Sequence, residues 1–316
     1  MMAAAVLALY AVVAVVLFPR LLSRGEWAER APRLAISVWL AACISAVASV
    51  VLSALAAAIP ANVIGHGLAK FFEACADMFS DDMALTSPGA RAALFGAALV
   101  SARIIYCGVA ILVRTRRERR QHADMLNILG HHDGKLGAVV LDHDEAAAYC
   151  LPGRKGRAVI TTAALRSLAA EEVAAVLAHE RAHLRGRHHL VLAATEAFSQ
   201  AFPRLPLFTR ARNEAARLIE LLADDVAARR HSRIHIAAAL VRLATGRAPA
   251  FTLGAGGETA LTRVKRMLSP AAPLGRRERM VGLAAVALLL AGPVVVAAVP
   301  GLRSFLAHHC HDIAIF

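Results

Sequence analysis

Four apolar runs, each close to the ~20 residues that a ~30 Å hydrocarbon core requires, restrict this chain more than any other feature. They cover residues 1–18, 34–59, 92–113 and 280–299 and read as membrane-spanning helices. The composition agrees: 58% hydrophobic residues but only 5% aromatic ones, with a mean hydropathy of +0.54, is too apolar for an ordinary soluble domain. The first run lacks a basic leading region and a small-residue cleavage site, so it reads as a retained span rather than a signal peptide. The expected organisation is three spans with short loops over 1–114, a polar domain over 115–279, and a fourth span with a short tail over 280–316.

A net charge of +13 raises the question of nucleic acid. Much of the arginine flanks the apolar runs, however, and no basic patch is interleaved with aromatics, so no nucleic-acid partner is expected. Basic flanks orient spans toward the cytoplasm. Arg20, Arg24, Arg30 and Arg33 fill the first loop, whereas the second carries Lys70 against Glu73, Asp77, Asp81 and Asp82. "RTRRERR", residues 114–120, follows the third span, and Arg276, Arg277 and Arg279 precede the fourth. The alternation predicts a multi-pass protein of the cell membrane, with both termini extracytoplasmic and the 115–279 block cytoplasmic. Arg103, near the middle of the third span, either faces the bundle or snorkels. Pro293 predicts a kink in the fourth.

The polar block contains "AVLAHERAHLRGRHH", residues 175–189. The preceding run, "SLAAEEVAAVLAHERAHL", has helical spacing, with Val173, Val176, Leu177 and Leu184 on an apolar side. Positions four apart on a helix lie one above the other, so His179 and His183 can aim at one ion with Glu180 beside them. Two neutral imidazoles binding zinc, with the intervening carboxylate as base, is the chemistry of H-E-x-x-H. A third protein ligand must come from another helix. "ARLIELLADDVAARR" offers Glu220, with Asp224 one turn on to accept the free N–H of a ligand histidine. Glu196 and Glu214 are rivals for the ligand position.

HERAH followed by E-L-L-A-D resembles the H-E-x-x-H…E-x-x-x-D pattern of gluzincin membrane peptidases. These include the CAAX prenyl endopeptidases and the bacterial beta-lactam sensor-transducers of BlaR/MecR type. The lead-in "AYCLPGRKGRAVITTAALRSLAAEEVAAVLAHERAH" is similar to the family's succession of hairpin, short helix and active-site helix, with Pro152, Gly153 and Gly156 supplying the turn. The resemblance covers about residues 136–230, and the four-span frame fits the sensor-transducer branch. Only residues 300–316 follow the fourth span, so no penicillin-binding sensor domain is expected. The resemblance implies a mainly α chain: a four-helix transmembrane region plus a cytoplasmic gluzincin-type zinc metallopeptidase domain with a small β-sheet. It implies one Zn2+ held by His179, His183 and Glu220, Glu180 as general base, and Asp224 behind the ligands. The strand near 158–161 is the candidate edge for an extended substrate. Arg229, His231 and His235 are within sequence reach as oxyanion stabilisers, with nothing to choose among them.

His188 and His189 read as solvent or interface residues. Cys43 and Cys107 lie within spans, and Cys150 is expected to be cytoplasmic and reduced. Cys75 and Cys310 fall outside on this topology and form a candidate disulfide. The competing idea is a metal held by His308, His309, Cys310 and His311. The expected function is an integral-membrane zinc endopeptidase acting on a cytoplasmic or membrane protein, either itself or a transcriptional repressor in a signalling pathway. The alternative is a non-catalytic membrane receptor or metal sensor with structural zinc.

Overall fold

The computed structural model describes residues 2–58, 88–153, 156–245 and 256–312. Helix α1 (Met2–Leu22), a single turn α2 (Trp27–Arg30), α3 (Pro32–Ala58) and the long α4 (Pro88–Leu129) precede strands β1 (Gly130–Asp133), β2 (Ala138–Leu141), β3 (Ala148–Leu151) and β4 (Arg157–Thr161). Then come α5 (Thr162–Ser167), α6 (Ala170–Arg185), α7 (His188–Ala201), α8 (Pro206–Ala227), α9 (Arg233–Thr245), α10 (Gly256–Leu268) and α11 (Arg276–Asp312). The chain is mainly helical, with one small mixed sheet.

Among the described residues, four helices are long and apolar enough to cross a membrane: Met2–Leu22, Pro32–Ala58, Arg91–Leu129 and Arg276–Val299. They correspond to the four apolar runs. The third extends well past its apolar run, so "RTRRERR" lies on a helix rather than in a loop. The last runs through Pro293 without interruption. Cys75 and the side chain of Cys310 lie outside the described residues, as do those of His308, His309 and His311.

The apolar helices and the polar block share one core. Ala14 of α1 and Ala35, Ile36, Trp39, Ala42 and Cys43 of α3 pack with Leu207, Phe208, Ala211, Leu218, Ile219 and Leu221 of α8. Helix α7 runs along α4. Arg103 of α4 donates from Nε to the carbonyl oxygen of Ala201, at the C-terminal end of α7. The last carbonyls of a helix lack intrahelical partners and carry partial negative charge, so this end suits a guanidinium. Arg103, exposed on α4, thus reaches across to α7. The corner between α7 and α8 therefore stands beside the middle of the third apolar run.

The sheet has the order β1-β2-β4-β3, with β2 and β4 parallel and the other pairs antiparallel. The strand at 158–161 was expected to be an edge, and it is not. It is β4, paired on one side with β2 and on the other with β3. The turn at Pro152–Gly153 folds β3 back onto β4 as a hairpin, so β3 takes the outer position. Burial follows: Val159 and Ile160 of β4 are fully buried, whereas β3 is half-buried along its length.

Helix α6 packs on this sheet through Val173, Val176 and Leu177, which meet Ala158 and Ile160 of β4 and Ala164 of α5. Thr161 caps α5, its Oγ1 accepting from Ala164 N at 3.2 Å. Arg181, beside the two histidines, donates to the carbonyls of Leu136 and Gly137 in the β1–β2 turn. Gly130 lies where α4 passes into β1. A Cβ there would stand 2.5 Å from the Leu126 carbonyl oxygen and 2.5 Å from Val139 Cγ1. Backbone on one side and a buried strand on the other leave no room to yield. Gly130→Ala is expected to destabilise the fold by about 1–3 kcal/mol, read as a lower unfolding midpoint of the detergent-solubilised protein.

Candidate metal centre

Helix α6 carries His179 and His183 one turn apart, and α8 crosses it so that Glu220 faces both rings. His179 Nε2 and His183 Nε2 are 3.0 Å apart. Glu220 Oε2 lies 3.4 Å from His179 Nε2, and Glu220 Oε1 lies 3.6 Å from His183 Nε2. Ligands at 2.0–2.2 Å from a tetrahedral zinc stand roughly 3.3–3.6 Å apart. The three donors thus already have nearly the spacing of three corners of such a site. They are two imidazoles and a carboxylate, a set suited to zinc with a fourth position open. The group could hold a metal ion.

Asp224 follows Glu220 by one turn of α8 and is fully buried. Its Oδ1 lies 2.9 Å from His179 Nδ1. The ring N–H points off the line between them, so the contact is an ion-pair approach rather than a straight hydrogen bond. It still places a negative charge behind the ring whose other nitrogen faces Glu220. Glu196 and Glu214 go elsewhere: Glu196 pairs with Arg212, and Glu214 with Arg217.

Three residues stand at this centre that the sequence did not assign to it. The first is Arg263 on α10. It donates from Nε to Asp224 Oδ2 and from Nη2 to Asp224 Oδ1, both at 2.8 Å. Its Nη1 lies 2.9 Å from Glu220 Oε2. The cation beside the centre is therefore Arg263, whereas Arg229 is exposed at the end of α8. Ala175 and Ala178 of α6 pack with Ala227 of α8, Ile236 and Ala237 of α9 and Met267 of α10, which fixes the helix bearing Arg263. The second is Cys150 on β3, whose thiol is close enough to the Glu180 carboxylate to feel its charge. The third is His188. It was expected at solvent or an interface, yet it is 5% exposed with Nδ1 3.1 Å from His183 Nδ1. The reversal at Gly186 and Arg187, the latter left-handed at φ 49°, turns the chain back and brings His188 inward.

Electrostatics divide the two rings. Burial works against a charged His179, but the Asp224 and Glu220 carboxylates beside it overcome this and lift the ring to about 9. Burial, followed by the charge on His179, pushes His183 down to about 4. Although burial opposes its ionisation, the hydrogen bonds from Arg263, with the adjacent His179 ring, hold Asp224 at about 2. Burial raises Glu180 above the usual carboxylate range, and Glu220 adds to the rise. Burial pushes the Cys150 thiol up to about 12, with the Glu180 charge contributing, so it is a neutral donor at pH 7. The arrangement can bind a divalent cation and place a proton-accepting carboxylate beside it.

No curated protein and no solved structure matches the chain. Residues 113–252 match a family model, that of peptidase family M48. The match spans the sheet, α6 and α8, and hence all three candidate ligands, while Arg263 lies beyond it. The sequence match and the geometry of the three donors meet on this segment, which is similar to the metallopeptidases of family M48.

Proposed function

We propose that the chain is an integral-membrane, zinc-dependent endopeptidase with its catalytic segment on the cytoplasmic side. The observation that carries this reading is the convergence of His179, His183 and Glu220, from two helices, at close to the separations of a tetrahedral zinc site. Glu180 and the match to peptidase family M48 support hydrolysis over a purely structural site. His179, His183 and Glu220 would hold the ion, and Asp224 and Arg263 would keep His179 and Glu220 in place. Zinc bound there supplies the Lewis acidity that lets water attack a peptide carbonyl near neutral pH.

This chain's own part is proton transfer and positioning. Glu180 takes a proton from the attacking water at its carboxylate and returns it to the leaving amine nitrogen. A base works best with a pKa near the operating pH, and burial moves Glu180 in that direction. An extended substrate would add to β3, the sheet edge that packs along α6 and brings Cys150 to Glu180. The substrate is a cytoplasmic or membrane protein, in the sensor-transducer version the chain itself or a repressor. The 115–279 block would lie at the inner leaflet, with the α7–α8 corner set among the spans.

The test uses the full chain purified in detergent. Elemental analysis is expected to find one zinc per chain, and an unfolded polypeptide should be cleaved. Chelation should abolish cleavage, and added Zn2+ should restore it. Absence of any bound transition metal overturns the proposal.

A further inference from the structure

The stretch "HLRGRHH", residues 183–189, contains a histidine that the proposed reaction does not use. Helix α6 ends at Arg185, and α7 begins at His188, leaving only Gly186 and Arg187 to reverse the chain. Arg187 adopts φ 49°, a conformation that residues other than glycine rarely take. Gly186 is needed for a different reason. A Cβ there would stand 2.3 Å from His188 Nε2 and 2.6 Å from His188 Cδ2. The turn is thus shaped around an imidazole that folds back over it. The ring is 5% exposed and lies edge-on to His183, with centroids 4.9 Å apart at 84°.

The contact has one chemical sense. His183 turns Nε2 toward His179 and Glu220, 3.0 and 3.6 Å away, so this is the nitrogen left for an ion. A neutral imidazole with a free Nε2 lone pair carries its proton on Nδ1. His183 Nδ1–H then donates to His188 Nδ1 at 3.1 Å, and His188 keeps its own proton on Nε2. An acceptor behind a ligand imidazole fixes its tautomer and orientation and raises its basicity. Asp224 stands behind His179 Nδ1 in the corresponding place, as a charge. We infer that His188 supplies the acceptor for His183 as a neutral positioning residue, and that Gly186 and Arg187 exist in this turn to place it. The inference rests on the proposed metal site.

The measurement is metal affinity of the full chain in detergent, by competition between the protein and a chromophoric chelator for Zn2+. His188→Phe keeps a ring of similar size without an acceptor, and His188→Asn keeps an acceptor. His188→Phe is expected to weaken Zn2+ binding about 10–100-fold, with His188→Asn close to wild type. Gly186→Ala, which pushes the ring out of place, should behave like His188→Phe. With Co2+ in place of Zn2+, the visible absorption bands should shift in His188→Phe and return in His188→Asn. The unfolding midpoint of metal-free protein separates this role from a structural one. Equal Zn2+ affinity in wild type and His188→Phe overturns the inference and leaves the proposed function standing. So does equal weakening in the Phe and Asn variants alongside equally lowered metal-free midpoints. Wild type that binds no metal overturns both.

Discussion

Glu180→Gln is expected to lower peptide hydrolysis by about 10²–10⁴-fold while leaving the bound zinc in place. The substitution preserves size and hydrogen-bonding capacity but removes the only group that this reading assigns to proton transfer. Glu180 is not among the three donors that approach one another, so metal content has no reason to change. The nearby Cys150 thiol is neutral at pH 7, so the loss of the Glu180 charge strands no opposite charge there. The folded state should therefore remain as stable as wild type. The comparison also separates the endopeptidase from a receptor with structural zinc. A receptor predicts that wild type and Glu180→Gln are equally inert against an unfolded polypeptide, with zinc in both. A large loss of cleavage with unchanged metal is the outcome that only a catalytic carboxylate produces.

How much of this centre could be read in advance depended on sequence distance. The HERAH helix is legible because its two rings and its base lie within one turn of helix, where spacing fixes direction. Glu220 and Asp224 are legible as a pair for the same reason, one turn apart on α8. Arg263 stands 39 residues beyond Asp224, on a helix that no local pattern ties to the centre. Only the tertiary packing of α10 against α6, α8 and α9 brings it there. His188 did leave a trace, since a glycine followed by a polar run after HERAH marks a helix end. A helix end does not say which way the next ring will point, and that depended on the φ of Arg187.

The same limit applies to the fold. Apolar runs of span length announce themselves, and helices occupy all four of them. The order of the sheet does not, because the parallel β2–β4 pairing places β4 inside and leaves β3 at the edge. An alternating or short apolar run says that a strand is buried, not which neighbours it has. Helix α8 shows the limit in another way. Its apolar stripe of Leu207, Phe208, Ala211 and Leu218 packs on Trp39 and its neighbours in α3, outside the polar block. Amphipathic pattern reports that a face is covered and is silent on what covers it.

Asp224→Ala is expected to destabilise the metal-free protein by about 3–5 kcal/mol. Asp224 is fully buried and accepts two hydrogen bonds from Arg263, whose side chain is only 15% exposed. Removing the carboxylate leaves the guanidinium with Glu220 alone, which is 38% exposed and lies against the histidine rings. An uncompensated charge in that position costs far more than the lost contact itself, because it cannot return to water without moving α10. Replacing both partners with apolar residues removes that penalty, so Asp224→Leu combined with Arg263→Met should recover most of the loss. Denaturant unfolding of wild type, both single variants and the double variant in detergent gives the coupling directly. Asp224→Ala losing less than about 1 kcal/mol, the range of an exposed ion pair, would show that water reaches Arg263 and that the pair holds nothing in place. A large single-variant loss with recovery in the double variant would mean that the carboxylate behind His179 is there for metal binding and that Arg263 makes its burial tolerable. The double variant should then fold well and bind zinc poorly, because His179 has lost its anchor and Glu220 its guanidinium.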